Sequence, residues 1–227
     1  MEKIRLIKKL TASFDVDSEK CFTPLCPNEL PVKDGHLIVD ELNAQAKFAR
    51  LRIGSKDAHN KHSLWVTQLP DRIATPITKE CIGDNDANNV DVYWPVHGVP
   101  GTKGFELLDG LPKPTEYDYF VWKGIELNMH PYGACYHDLH NKLSTGVIEF
   151  LKCNEIINVI TGGLATDYCH GLTCEQLLDA GFNVIFNKAA SKGISLEGLL
   201  AMIKKLKSKG AIIIESANDL ETFKTGE

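Results

Sequence analysis

Long apolar runs are absent from this sequence, and so is an excess of charge of one sign. No stretch approaches the roughly 18 apolar residues of a membrane-spanning helix, and the opening MEKIRLIKKL is charged where a secretory signal would be apolar. With 25 basic and 30 acidic residues, the net charge of −5 provides no footprint for nucleic acid or an anionic membrane. We therefore expect a cytoplasmic protein with neither partner.

Closely paired cysteines are missing as well. The seven cysteines include no CxxC pair, which argues against a zinc ribbon or a thioredoxin-type motif. Their odd number and wide spacing indicate free thiols in a reducing compartment. No GxGxxG segment follows an apolar run, so a dinucleotide-binding fold of the Rossmann type is not indicated.

What the sequence does contain is an alternation of apolar strands and amphipathic helices. We expect strands at about 10–16, 51–54, 119–123, 155–163, 182–187 and 210–216, and helices at 35–50, 144–154, 195–208 and from Cys169 onward. Ser144 or Thr145 is the expected N-cap of the helix at 144–154. This alternation is typical of βαβ units. It predicts an α/β fold, a three-layer α/β/α sandwich with a mostly parallel six-stranded sheet, in one domain spanning 1–227. The irregular region from about 65 to 111 is long enough to suggest a functional loop.

Reactive side chains follow several of the predicted strands. Because the carboxyl ends of parallel strands meet at one edge of the sheet, we expect these residues to converge there: Asp15, Asp17, Asp57, His59, Lys123 and Cys169. Cys169 would lie in the first turn of a helix with Thr166 as its N-cap. A helix N-terminus lowers a thiol pKa and offers free N–H groups to an oxyanion, although most cysteines are simply small buried side chains.

Five segments, in order along the chain, strengthen the catalytic interpretation. DSEKCFTP, SKDAHNKH, YWPVHGVPGTKG, VWKG and GGLATDYCHG resemble motifs of the nicotinamidase branch of the isochorismatase-like hydrolase superfamily, and the matches span about 10–190. The resemblance implies the isochorismatase-like fold. It also implies a cysteine amidohydrolase that converts nicotinamide, and pyrazinamide too, to the acid and ammonia through a thioester, within NAD salvage.

The same resemblance assigns catalytic roles. Asp17 would exchange protons, Cys169 would be the nucleophile, and Lys123 would lie between them, where a cation favours the carboxylate and thiolate forms. The backbone amides of Ala165 and Cys169 would form the oxyanion hole, with a cis peptide at the position matching Ala165–Thr166.

The assignment of the carboxylate has an alternative. The gapless match to Phe-Thr-Pro selects Asp17, but Asp15 would take the role if a two-residue insertion followed it. Glu19 and Lys20 stand where the family more often has Gln and Asn, a difference that would alter the hydrogen bonds around the carboxylate.

A divalent metal is the implied cofactor. Asp57, His59 and His97 match the family's ligand positions, and His62 is a further candidate, although it lies nearer to His59 than the family's second histidine does. His130 has no family counterpart that we could identify. Zinc is the leading candidate, and iron and manganese suit the same donors. In the family this metal orients the substrate ring.

The resemblance also implies a substrate and a homo-oligomer, and it leaves two alternative functions open. Phe22 and Trp94 would form aromatic walls around a small-molecule amide, and self-association into a homo-oligomer is expected from the family. An N-carbamoyl amidase of the same superfamily would keep the catalytic residues without needing the metal. A non-catalytic metal-binding protein of the same fold is the other alternative.

Overall fold

A parallel sheet of six strands forms the centre of the computed structural model, which describes residues 3–78 and 89–223. In spatial order the sheet runs β4-β3-β2-β5-β6-β7. A separate two-stranded sheet pairs β1 with β8 near the two ends of the chain. The strands are β1 (Ile4–Leu6), β2 (Thr11–Val16), β3 (Leu51–Asp57), β4 (Tyr119–Lys123), β5 (Asn158–Leu164), β6 (Asn183–Lys192), β7 (Ile212–Ile214) and β8 (Leu220–Thr222).

Helices cover both faces of the sheet. They are α1 (Val39–Ala46), α2 (Val147–Cys153), α3 (Cys169–Asp179) and α4 (Leu196–Ser208). On one face, Ala12, Phe14 and Val16 of β2 pack in a core with residues of α2, α3 and α4. On the other face, Leu42 of α1 packs with Leu164 at the end of β5. Alternate residues of each strand therefore serve different layers.

The register of the central strands brings charged residues to the same edge. Asp57 and Lys123 end β3 and β4 and are paired directly across the sheet. Asp17 follows the last residue of β2, and Cys169 begins α3 after the loop that leaves β5. Asp17 adopts a positive φ of 42°, which turns the chain away from the strand at this point. The fold thus assembles the predicted site from four chain segments.

The predicted architecture is confirmed, with two refinements. All six strands of the sheet occur, and β3 and β6 run further toward the site than the apolar pattern suggested. The short β1–β8 pair was not predicted. The region 65–111 is largely irregular in its described part, while residues 79–88 lie outside the described ranges. Within the described ranges, no helix has the length and apolar character needed to cross a bilayer.

Two predicted helix caps are wrong. Thr166 does not cap α3, because Tyr168 occupies the N-cap position without a side-chain bond, and the Thr166 hydroxyl contacts Ser191 instead. Neither Ser144 nor Thr145 caps α2, which begins after Gly146. Gly146 has a φ of 86° and its N–H donates to the Ser144 hydroxyl, so the turn geometry takes the place of the expected cap.

Candidate active site

Lys123 lies buried between acidic groups and the Cys169 sulfur. Its Nζ is 3.0 Å from Asp17 Oδ2 and 3.7 Å from Cys169 Sγ, and it forms a short ion pair with Asp57 Oδ1. The Pro131 carbonyl accepts a further hydrogen bond from the same Nζ at 3.2 Å. The ligand-capable atoms of Asp17, Asp57 and Cys169 all lie within 4.8 Å of one another. The structure therefore brings the three predicted catalytic side chains together.

Asp15 lies outside this group. Its side chain points to the other face of β2, where Arg52 Nη2 is 2.6 Å from Oδ2 and the Tyr117 hydroxyl donates at 3.0 Å. Successive residues of a strand point to opposite faces, but Asp17 has already left β2, and its Oδ1 accepts a hydrogen bond from the Ser55 hydroxyl at 2.7 Å. Of the two candidate carboxylates, only Asp17 adjoins Lys123.

Burial dominates the protonation of these groups. It raises the pKa of Asp17 to about 6, against the opposing charge of Lys123 and with a further upward contribution from Asp57. It also holds the pKa of Cys169 well above the usual range, although Lys123 acts to lower it. Lys123 acts to lower both pKa values, as predicted. The net shift of each is nevertheless upward, because burial raises the pKa of Asp17 and of Cys169 by more than the single cation lowers it. Burial also acts to lower the pKa of Lys123, yet Asp17 and Asp57 outweigh it and raise that pKa.

A second cluster adjoins the first through Asp57. The imidazoles of His59, His97 and His130 place one ring nitrogen each within 4.8 Å of the others, and all three rings are buried. Asp57 Oδ2 lies 3.2 Å from His59 Nε2 and 3.8 Å from His97 Nε2. Burial, followed by the charge of His59, lowers the pKa of His97 to about 3, and burial lowers that of His130 to about 4. Both histidines are therefore neutral at physiological pH, as metal ligands must be.

The ring orientations fit a bound cation. His59 Nδ1 faces the Gly124 carbonyl at 3.0 Å and His97 Nδ1 faces the Pro95 carbonyl at 2.7 Å. A carbonyl can only accept, so each Nδ1 carries the proton and each Nε2 presents a lone pair. His59 Nε2 is buried without a hydrogen-bond partner among the described residues. Three imidazoles and one carboxylate suit zinc or a similar divalent ion.

The predicted ligand set needs one correction. His62 is exposed, and its backbone N–H donates to the Asn60 side chain, so the structure does not bring it to the cluster. His130 takes that place. The sequence offered no spacing signal for His130, because it lies 33 residues beyond His97 in a segment with other histidines. Its ring packs on Trp65 with centroids 4.2 Å apart, so the contact became visible only in three dimensions.

Aromatic side chains enclose a cleft in front of the sulfur. The cleft has a volume of about 330 Å³, and Phe22, Trp94, Ala165 and Cys169 are among its lining residues, as predicted. Tyr132, Tyr168, Leu30 and Ile194 also line it and were not predicted. Trp94 Nε1 donates to the Tyr132 hydroxyl at 3.1 Å, which fixes both rings against each other. Asp57, His97 and His130 line it too, so the cleft borders both the histidine cluster and the thiol.

Glu19, where the family more often has Gln, also contributes to this region. Its Oε2 accepts a hydrogen bond from the Asp57 backbone N–H at 2.6 Å. Burial raises its pKa well above the usual range, and the neighbouring charges of Asp57 and Asp17 act in the same direction. Glu19 therefore provides a side-chain oxygen that accepts a hydrogen bond from the β3 backbone, as the Gln of the family also could.

The loop before Cys169 contains a cis peptide bond, but at a different position from the predicted one. It joins Leu164 to Ala165, one residue before the expected Ala165–Thr166 bond. Ala165 and Cys169 both face the cleft.

Comparison with known proteins gives the same interpretation. No family model matches the chain. The nicotinamidase of Acinetobacter baylyi is 35% identical over 109 residues, covering 48% of this chain and 50% of that protein. The nicotinamidase of Escherichia coli is 27% identical over 173 residues, covering 74% of this chain and 77% of that protein. The alignment with the Acinetobacter baylyi enzyme thus spans about half the length of that relative.

Solved structures extend the similarity to almost the whole chain. A nicotinamidase/pyrazinamidase from Acinetobacter baumannii has a TM-score of 0.80 at 25% identity and covers 93% of this chain and 98% of that one. A pyrazinamidase of Pyrococcus horikoshii in complex with zinc has a TM-score of 0.67 at 25% identity, covering 90% and 98%.

The fold is that of the solved nicotinamidase and pyrazinamidase structures to which the chain is similar. The relatives and structures that match are named nicotinamidase or pyrazinamidase, in agreement with the resemblance of the five motifs.

Proposed function

We propose that the protein is a nicotinamidase that hydrolyses nicotinamide to nicotinate and ammonia. The contact of Lys123 with both Asp17 and Cys169, beside an aromatic cleft and a histidine cluster, is the observation that carries the proposal. Relatives and solved structures with that name support the choice of substrate.

The protonation states support a mechanism in which base and nucleophile act as a pair. Cys169 is a thiol at rest, because burial raises its pKa. Asp17, with a pKa of about 6, is ionised near neutral pH and can accept the thiol proton as the sulfur attacks the carboxamide carbon. The carbonyl electrons move to oxygen, where the amides of Ala165 and Cys169 stabilise the charge.

Collapse of this intermediate breaks the carbon–nitrogen bond. Asp17 returns its proton to the departing nitrogen and ammonia leaves. Water, deprotonated by Asp17, then attacks the thioester carbon. The carbon–sulfur bond breaks, nicotinate leaves, and Asp17 returns the proton to the sulfur, which regenerates the thiol. Lys123 stays in contact with both anionic partners and stabilises whichever of them carries the negative charge.

Asp57, His59, His97 and His130 are the residues that would hold a divalent metal, for which we propose zinc. When bound, the ion would supply a Lewis-acid contact that orients the ring of the substrate. A role in NAD salvage in the cytoplasm follows from this reaction as part of the proposal.

Two cysteines of α3 provide a matched test. Both Cys169 and Cys174 are buried in the same helix, but Cys174 contacts the Thr161 hydroxyl and lies outside the cleft. We expect Cys169→Ala to reduce ammonia release from nicotinamide by about 10³-fold or more, and Cys174→Ala to keep it within a few-fold.

The assay should include nicotinamide, pyrazinamide and an N-carbamoyl amine as separate substrates. Turnover of the carbamoyl compound alone would contradict the nicotinamidase assignment. An undiminished Cys169→Ala variant would contradict the nucleophile.

A further inference from the structure

A buried hydroxyl behind the nucleophile joins three parts of the loop that carries it. Ser191, near the end of β6, places its Oγ 2.8 Å from the Gly163 carbonyl, 2.6 Å from Thr166 Oγ1 and 2.8 Å from His170 Nδ1. All four residues are buried. Residues 163–170, which we name the nucleophile loop, run from the end of β5 to the residue after Cys169.

The direction of each hydrogen bond follows from counting donors. A carbonyl only accepts, so the single Ser191 proton goes to Gly163. In the two remaining hydrogen bonds Ser191 Oγ must then be the acceptor, and the Thr166 hydroxyl and the Nδ1–H of His170 are the donors. Burial lowers the pKa of His170 to about 3, which agrees with a neutral ring that has one proton. The ring also stacks on Phe186 with centroids 4.6 Å apart. Ser191 therefore uses its full hydrogen-bonding capacity on this loop.

The same loop carries the groups proposed to act on the substrate. Its backbone turns tightly at Ala165, whose carbonyl accepts from the Tyr168 N–H at 3.0 Å and the His170 N–H at 3.1 Å. Thr166 N–H donates to the Lys192 carbonyl at 2.8 Å, which is a second attachment to β6. Ser191 does not line the cleft, so any effect it has on the reaction must pass through the loop.

We propose that Ser191 is a positioning residue that fixes the nucleophile loop, and with it the Ala165 amide and the Cys169 sulfur. The inference that this fixing accelerates the reaction rests on the proposed function. Reacting groups must be aligned closely, and misplacement by about 1 Å can cost about 100-fold in rate. Replacing Ser191 by Ala removes three bonds at once and leaves the donors of Thr166 and His170 buried without their acceptor.

The experiment compares wild type, Ser191→Ala and the control Thr161→Val. Thr161 lies on the neighbouring strand β5 and is as deeply buried, but its hydroxyl contacts Cys174 and the Ile185 carbonyl rather than the loop. Backbone hydrogen–deuterium exchange of residues 163–170 is measured together with kcat and KM for nicotinamide. We expect Ser191→Ala to speed exchange in the loop about tenfold and to lower kcat about tenfold or more, with KM within about threefold. Thr161→Val should change neither measurement.

A second pair serves if Ser191→Ala does not fold. Thr166→Val removes one hydrogen bond of the group, and Thr166→Ser restores the hydroxyl, so the loss and its rescue should both appear in kcat and in exchange. Unchanged exchange in the loop variants, or an equal effect in Thr161→Val, would overturn the proposal. If wild type turns over no amide, the proposed function fails, while the exchange data still decide whether Ser191 fixes the loop.

Discussion

At the scale of single residues, burial has more influence on this site than any one charge. Asp17, Lys123 and Cys169 are removed from water together, and the pKa values of the acid and the thiol rise although a cation contacts both. A resting thiol next to a carboxylate with a pKa of about 6 favours proton transfer during attack over a preformed thiolate. The catalytic unit is therefore the pair, rather than an activated cysteine alone.

The pKa of Asp17 makes the acid limb of the pH profile predictable. Only the carboxylate form accepts the thiol proton, so kcat/KM should rise with an inflection near pH 6 and fall about tenfold per unit below it. The Ser55 hydroxyl donates to Asp17 and lowers its pKa. Ser55→Ala should therefore move the inflection to higher pH. Steady-state rates from pH 4.5 to 8 measure it, with circular dichroism at each pH to verify folding. A pH-independent rate between 5 and 7 would contradict the role of Asp17.

At the scale of elements, the site residues at the strand ends could be predicted from the sequence, whereas His130, the third histidine of the cluster, could not. Asp17, Asp57 and Lys123 end or follow strands whose apolar pattern is clear, so the parallel topology alone places them at one edge. His130 lies in an irregular segment, and its position depends on packing against Trp65 and on the path of the chain after β4. The cap at Thr166 failed for a similar reason, because its hydroxyl had a tertiary partner, Ser191.

The end of β4 provides a test of how elements support the ligands. Gly124 has a φ of 74°, its carbonyl accepts from His59, and an added Cβ would collide with the His59 ring. We expect Gly124→Ala to lower metal affinity about 10- to 100-fold, the range found for outer-shell changes.

Gly101→Ala is the matched control, because Gly101 has a φ of 85° and no atom near its added Cβ. It carries the same backbone strain without the collision. Metal content after dialysis against graded chelator measures both variants. Equal loss in the two would attribute the effect to strain alone and contradict the contact with His59.

At the scale of the whole molecule, the histidine cluster connects segments that are distant in sequence. Asp57 ends β3 and His59 lies just after it, His97 comes from the irregular region, and His130 comes from the segment after β4. The chain orders these segments around lone pairs that face one another when no cation is bound, such as those of His59 Nε2 and Asp57 Oδ2, which are 3.2 Å apart. A cation there would bind the folded state and not the unfolded one, so the site couples the irregular loops to global stability.

This coupling makes thermal stability a readout that does not depend on turnover. Saturation at about 100 times the dissociation constant adds about 2.7 kcal/mol, so chelation should lower Tm by about 5 °C or more and zinc should restore it. His130→Ala should lose most of this response, whereas His62→Ala, with its exposed ring, should keep it. Each variant removes one imidazole, so a difference between them reflects where the histidine lies and not the loss of a histidine as such. A chelation response lost in His62→Ala and kept in His130→Ala would return the ligand set to the one the sequence motifs indicated.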